Sequence, residues 1–388
     1  MIGRKHQVAV AMTALLAAAA ACQNHQRQEV ARHEVRVPGL PAPTAARGFT
    51  LVASGDVMPH GSVNERARYD AGGNGYDFRP MLSGVEPVVR QADLALCHLE
   101  TVYGDGGTPA GTTDVASPPQ IAEGLAATGY DGCSTASDRA LDDGAPGIGR
   151  TLDTMDRAGL GHPGTARTEQ EAHSVTMHQA GPARVAHLSY TYGTGGRSFP
   201  AGQPWAVNLI ESNRIIDDAR AARLSGADVV VVSVHWGTDW QDAPDRLQLD
   251  LAQRLTASKT NGRPDIDLIL GTDAHVPQAY EKVNGTWVIY GMGDQIAGEM
   301  YNDKGVRDSR GNESTIGRFT FSPPTGPGGR WAVTKAEFIP QAFDVDAGRV
   351  VDLNEAIARG ADLEGVRDRI RDVVLSRGAA ADGLAMGE

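Results

Sequence analysis

Four apolar runs in this chain end at once in a carboxylate or an imidazole: 51–56, 93–100, 228–239 and 267–275. Asp56 closes the first, and His98 and Glu100 close the second. The third is an uninterrupted valine-rich stretch that releases His235, then Trp236, Gly237 and Asp239. The fourth presents Asp273 and His275. Carboxylate oxygens and imidazole nitrogens bind hard and borderline divalent cations, and they also carry protons at neutral pH. Open α/β sheets collect their chemistry at the carboxyl ends of their strands. Four such endings imply one metal or acid/base site at a shared sheet edge.

Those endings need strands and helices to hold them. The pattern predicts strands at 50–54, 93–97, 131–134, 229–234 and 268–271. Helices are predicted around 81–91, 119–128, 150–158, 212–224 and 245–257. Segments 174–178 and 184–190 read as strands. Asn284-Gly285 between two apolar runs is a hairpin signal, and further β pattern covers 316–321 and 331–338. Alternating strands and helices followed by antiparallel strands imply a layered α/β sandwich with a mixed sheet. One catalytic domain over 48–345 is the simplest division, with a charged, helical C-terminal segment over 346–388.

The first 22 residues read as a targeting segment. Arg4 and Lys5 precede an apolar stretch from Val8 to Ala21 that is short for a bilayer span. Ala19-Ala20-Ala21-Cys22 resembles a lipobox, with Cys22 as the lipidated residue; simple secretion is the alternative. Residues 23–47, polar and then rich in Pro and Ala, read as a flexible tether. Export leaves Cys97 and Cys133, which either form a disulfide or are two small buried apolar groups. A formal net charge of -12 without a basic stretch argues against nucleic acid as the partner.

Taken in order, six blocks resemble the CapA-type family of bacterial capsule and poly-γ-glutamate synthesis proteins. They are Ser54-Gly55-Asp56, the run 93–100, Ala136-Ser137-Asp138-Arg139, His235-Trp236-Gly237-Thr238-Asp239, Gly271-Thr272-Asp273-Ala274-His275 and Tyr290-Gly291-Met292-Gly293-Asp294. The resemblance implies a four-layer α/β sandwich with mixed sheets, similar to the calcineurin-like metallophosphoesterases. It implies a divalent ion (Mn, Fe, Zn or Mg) on Asp56, Glu100, Asp138, His235, Asp273 and His275, with Asp138, Arg139 and His235 nearest the chemistry. His60 could face the same site, and His98 reads as a half-buried ring rather than a ligand. A membrane polymer-synthase partner, an anionic polymer or phosphoester substrate, and a location on the outer face of the membrane follow from the same resemblance.

The chain departs from the family pattern at two blocks. Arg139 stands where the family usually has histidine, and arginine has no lone pair to offer a metal. Thr272 and Asp273 stand where two imidazoles are usual. Carboxylates at 138 and 273 would shift the preference from imidazole-rich zinc or iron sites toward harder Mn²⁺ or Mg²⁺. The resemblance implies an exported protein for synthesis or export of a capsule polymer such as poly-γ-glutamate, with a metallophosphoesterase-like site; a metal-dependent hydrolase of the phosphoesterase type and a degenerate, non-catalytic ligand- or polymer-binding surface lipoprotein stay open beside it.

Overall fold

The computed structural model describes residues 47–104, 116–326 and 329–388. The targeting segment, Cys22 and nearly all of the tether lie outside the described residues. Residues Arg47–Glu388 form one compact unit.

The first run is β1 (Phe49–Val57), α1 (Gly61–Asp70), α2 (Glu86–Arg90), β2 (Leu94–Leu99), α3 (Gln120–Thr128), β3 (Gly132–Ser134) and α4 (Gly144–Ala158). A short α5 (Glu169–Ala172) leads to β4 (Thr176–Ala180), β5 (Ala183–Thr191), α6 (Ser212–Leu224), β6 (Val229–Trp236) and α7 (Arg246–Ala257). A small hairpin of β7 (Lys259–Thr260) and β8 (Arg263–Pro264) precedes β9 (Leu268–Asp273). The rest is largely β: β10 (Tyr280–Val283), β11 (Thr286–Ile289), β12 (Asp294–Ile296), β13 (Glu313–Ser322), β14 (Ala332–Asp344) and β15 (Arg349–Asp352). Helices α8 (Leu353–Ala358) and α9 (Glu364–Val374) and strand β16 (Leu384–Met386) close the chain.

Two mixed sheets result. One has the order β15-β14-β13-β1-β2-β3, with β12 on β1 and β16 on β14; the other is β10-β11-β9-β6-β5-β4. Strands β1, β2 and β3 run parallel, as do β5, β6, β9 and β11. Side chains of a strand alternate between faces, and that alternation sorts the core into layers. Leu51, Leu94 and Leu96 meet Val229, Val231 and Leu268 between the sheets. Val52 and Ala95 face Val63 and Leu125 on one outer side. Val230 and Val232 face Ile215, Ala219 and Leu255 on the other. The order is therefore helix, sheet, sheet, helix. β6 is apolar at almost every position because both of its faces are covered.

The C-terminal segment differs from the helical expectation. It contributes two helices, but β15 and β16 both pair with β14 and build the segment into the first sheet. Helix α7 begins as the sequence suggests: Asp245 accepts from the Gln248 N–H while the Gln248 side chain accepts from the Asp245 N–H, a capping box. Gln248 is buried and also donates to Gln278 Oε1 (2.7 Å) and to the Tyr290 carbonyl (3.1 Å), tying the helix to the chain beyond β9. Helix α1 had no clear sequence pattern, because only Val63, Asn64 and Ala67 of its ten residues are buried.

Leu268 lies between the sheets, fully buried. Leu268→Ala is expected to cost about 2–5 kcal/mol, whereas Leu247→Ala, at a half-exposed site on α7, stays within roughly 0.5 kcal/mol. Paired denaturant titrations check both.

Candidate functional site

The parallel strands of both sheets point their carboxyl ends the same way, and the chemistry-bearing residues collect there. Asp56 is near the end of β1 and pairs in register with His98 of β2 on one side and Asp294 of β12 on the other. Glu100 follows β2. Asp138 and Arg139 lie in the loop after β3. His235 is near the end of β6, Asp273 ends β9, and His275 follows it. Two glycines allow the strands to close up. A Cβ at Gly55 would meet the Gly293 carbonyl at 1.8 Å, and one at Gly271 would meet the Tyr290 carbonyl at 2.1 Å. The Asp56 N–H donates to that Gly293 carbonyl (3.1 Å), which brings β12 and Asp294 beside Asp56.

The resulting distances describe a crowded polar chamber. Three sets of donor atoms each gather within 4.8 Å: Asp56, His98 and His235; Glu100, His275 and Asp294; and Glu100, Asp138 and His235. Glu100 belongs to two of them and His235 to two. His98 Nδ1 lies 2.7 Å from Ser134 Oγ, and its Nε2 faces Asp56 Oδ1 at 3.8 Å. His235 Nε2 is 2.9 Å from Asp273 Oδ1 and 3.5 Å from Asp138 Oδ1. His275 Nδ1 is 3.3 Å from Asp294 Oδ1. The His98 and His235 rings stack with centroids 4.8 Å apart.

Most of these groups are buried, yet many of their atoms lack a hydrogen-bond partner. Asp56 Oδ1, His98 Nε2, Glu100 Oε2, Asp138 Oδ1, Asp273 Oδ2 and Asp294 Oδ2 are all in that state. Buried polar atoms are normally satisfied, and so many orphaned metal-type donors in one chamber fit a bound cation. The backbone is strained at the same place. Asp273 (φ 96°), His275 (φ 60°) and Trp240 (φ 66°) occupy left-handed conformations that side-chain-bearing residues avoid, and such strain concentrates at functional sites.

Electrostatics carry the same signature. Burial, reinforced by Asp294, pushes the Asp56 carboxyl up to about 8. Burial also raises Glu100 well above the usual carboxylate range. Burial and the facing His235 ring hold His98 well below the usual imidazole range, so it stays neutral with a lone pair to offer. For His235, burial alone would lower the pKa, but Asp273, Asp138 and Glu100 outweigh it and the ring is driven well above its ordinary value. His275 behaves likewise, against Asp294, Glu100 and Asp239. The chamber holds more negative charge than it can neutralise by itself.

Of the residues singled out by sequence, Asp56, Glu100, Asp138, His235 and His275 converge. Asp273 touches His235 and donates its N–H to Asp56 Oδ2 (3.1 Å), although it falls outside the three donor sets. Arg139 lines the cavity in front of the chamber, with its guanidinium 3.4 Å from Asp142. His60 lines that cavity too, as does Asp239, whose nearer oxygen is 3.9 Å from His275 Nε2. His98 corrects the sequence reading: it is fully buried and stands in a donor set, because β2 continues through Leu99 and turns the ring inward. Asp294 was missed as a donor. Its signal was present, since an apolar run ending in Asp is the pattern that marked Asp56. Cys97 and Cys133 are register partners on β2 and β3, with Cα atoms 4.3 Å apart and sulfurs at bonding distance.

The arrangement is that of an α/β sandwich with a carboxylate- and imidazole-lined donor chamber at the carboxyl edge of its two sheets. The chain belongs to the bacterial capsule synthesis protein family PGA_cap, whose profile matches residues 50–299. It is similar to the PGA biosynthesis protein CapA of Bacillus subtilis, 24% identical over 194 residues, which are 49% of this chain and 49% of that protein. It is also similar to the capsule biosynthesis protein CapA of Bacillus anthracis, 23% identical over 171 residues, 43% and 40% of the two chains. The chain thus spans about half the length or less of these curated relatives. Among solved structures, the calcineurin-like phosphoesterase YfkN of Bacillus subtilis aligns over 83% of this chain and 98% of its own, at 13% identity and a TM-score of 0.42. The NAD nucleotidase of Haemophilus influenzae aligns over 89% and 58%, at 12% identity and a TM-score of 0.44.

Asp56, Glu100, His235 and His275 all bind protons more tightly in the folded chain than in the unfolded one. Each therefore loses stabilisation as pH rises. The low-pKa His98 acts in the opposite sense only below about 6.5. Metal-free protein is thus expected to lose stability as pH rises from about 6.5 to 8, with Asp56 alone contributing about 2 kcal/mol of that loss. Asp56→Asn keeps the acceptor for the Asp273 N–H and should flatten part of that slope. Chemical denaturation in the presence of a chelator at several pH values measures it; identical slopes for parent and variant would contradict the electrostatic account.

Proposed function

We propose that this protein is an exported member of the capsule synthesis family that holds divalent metal at the carboxyl edge of its sheets and hydrolyses a phosphoester in support of envelope polymer synthesis. The observation that carries the reading is the set of buried, unpartnered carboxylate and imidazole atoms that share Glu100 and His235. Asp56, His98 and His235 would hold one ion; Glu100, His275 and Asp294 would hold a second, with Asp138 able to join through Glu100. Four carboxylates and three imidazoles form a harder set than an imidazole-rich one, which favours Mn²⁺ or Mg²⁺ over zinc. A bound cation supplies charge stabilisation and Lewis-acid polarisation at a phosphoryl oxygen. The chain's own groups do the rest. Arg139, at the cavity wall, offers a forked donor for a phosphate oxygen. His60 is kept below the ordinary imidazole range by burial, so at neutral pH it can accept a proton. The buried walls keep bulk water from screening these charges.

Arg139 also favours a second reading, a site that binds without turnover. An arginine is a poor proton donor to a leaving group at neutral pH. Arg139→His combined with Thr272→His discriminates the two: hydrolysis that only the double variant performs supports the binding-only reading of the natural chain.

Export to the outer face of the membrane, by lipid on Cys22 or by secretion, is part of the proposal. The meeting of Cys97 and Cys133 supports it, since disulfides persist in oxidising compartments. A membrane synthase is the proposed partner. Protein isolated from the envelope, denatured and alkylated without reductant, should leave residues 97 and 133 unmodified in peptide mass spectra and modify both after reduction. Alkylation of both before reduction contradicts the bonded state.

The purified protein is expected to retain between one and two divalent ions per chain by elemental analysis and to hydrolyse a chromogenic phosphoester in a chelator-sensitive way. Glu100→Gln, which removes a ligand of the second ion only, should lower the retained metal toward one ion per chain and the rate by about tenfold or more. Full activity without metal would sink the proposal.

A further inference from the structure

The cavity in front of the donor chamber has a chemistry of its own. It measures about 400 Å³ and opens to solvent. Buried Glu100 and Asp273 reach it from below with unpartnered oxygens. Its upper wall is of a different kind. Tyr192, Trp240 and Tyr301 contribute aromatic faces, and Asp239, Glu299 and Asp303 contribute carboxylates. Arg139 is the one arginine or lysine among the described lining residues.

The aromatic wall is held in place. Trp240 keeps its left-handed backbone because its N–H donates to the Ala274 carbonyl (3.0 Å). Its ring packs with Met58, Ala297 and Met300 and leans on His275, with centroids 5.7 Å apart. The Tyr192 ring lies 6.0 Å from His235, and its N–H donates to the His235 carbonyl (3.0 Å). Tyr192 is 50% exposed and Tyr301 55% exposed. Rigid aromatic faces left open to solvent beside a buried polar chamber are recognition surfaces.

Charge decides what they can recognise. A chain of repeated carboxylates entering this mouth would meet Asp138, Asp239 and Asp303, and Glu299 with Arg307 beside it (3.5 Å), facing Arg139 and the His275 ring; the lining carboxylates outnumber the cations, and like-charge contacts select strongly against a partner. One anionic group is accommodated, at Arg139 and the chamber floor. Beyond it, the wall offers stacking faces and hydrogen-bond acceptors. An uncharged ring carrying several hydroxyls uses both: its flat face stacks and its hydroxyls donate to the carboxylates. A cavity of this volume has room for one such ring with its phosphate.

We propose that the site selects a compact phosphoester on an uncharged, polyhydroxylated ring, and that a polyanionic chain is not its occupant. The proposal deepens the metal-dependent phosphoesterase reading and rests on it for the phosphate end only; the ring-binding wall stands independently of the metal.

Tryptophan fluorescence and calorimetry on the whole protein test it, with and without Mn²⁺. The probes are glucose 1-phosphate, inorganic phosphate, phosphoethanolamine, a γ-glutamyl decapeptide and methyl glucoside. With Mn²⁺, glucose 1-phosphate should bind roughly tenfold or more tightly than inorganic phosphate, and the decapeptide should show no binding even at low salt. Methyl glucoside should bind weakly whether or not Mn²⁺ is present. Trp240→Ala should erase the advantage of glucose 1-phosphate over phosphate. Tyr301→Ala, at an exposed position that leaves the core untouched, should reduce it as well. Decapeptide binding comparable to glucose 1-phosphate, preference for the ammonium-bearing phosphoethanolamine, or absence of sugar binding in both metal states overturns the proposal. Sugar binding that depends on Trp240 in a protein that retains no metal would instead overturn the metal reading and leave the ring-binding wall standing.

Discussion

The organising constraint in this molecule is like-charge crowding at a buried edge. Asp56 and Asp294 are neighbours in register, both fully buried, with Glu100 and Asp273 close by. Nothing in an α/β sandwich requires carboxylates there. Apolar side chains of the same size would pack without the desolvation cost that burial imposes on a charge. The arrangement is tolerable because protons or cations offset it, and His235 and His275 already lean that way.

The two sheets exist in a form that produces this crowding. Their parallel strands terminate together, so residues far apart in sequence reach one place. Inside the sandwich, the apolar layer of Leu51, Leu96, Val231 and Leu268 holds the sheets in fixed apposition. A close-packed interior transmits that rigidity to the edge. Ser134 fixes the orientation of the His98 ring within the site, and the buried His187–Ser233 pair forms a further polar contact between β5 and β6. The glycines at 55 and 271 then permit backbone approaches that any side chain would block.

Much of this was legible in the residues. An apolar run ending in Asp, Glu or His marked the ends of β1, β2, β6 and β9, because a strand covered on both faces must be apolar until it emerges. The family blocks added Asp138 from a loop that has no periodicity to read. His98 was misjudged because the strand was expected to stop at Cys97, whereas β2 runs through Leu99 and keeps the ring in its alternation, buried and in register with Asp56. Asp294 was passed over as a donor although the largely apolar run that it ends carries the same signal as the run before Asp56. The C-terminal strands were missed because β15 and β16 borrow their order from β14, not from their own composition.

Local chemistry alone determined the donor types, their emergence at strand ends and the alternation that makes two covered sheets. These follow from propensity and from the rule that apolar faces seek cover. Which donors share an ion-sized space was decided by tertiary structure, since Asp56, His98, His235 and Asp294 meet only after parallel strands from two sheets align their edges. The aromatic, acidic mouth was likewise invisible beforehand. Tyr192, Trp240 and Tyr301 lie in loops, and a loop's direction is set by what it packs against rather than by its own sequence.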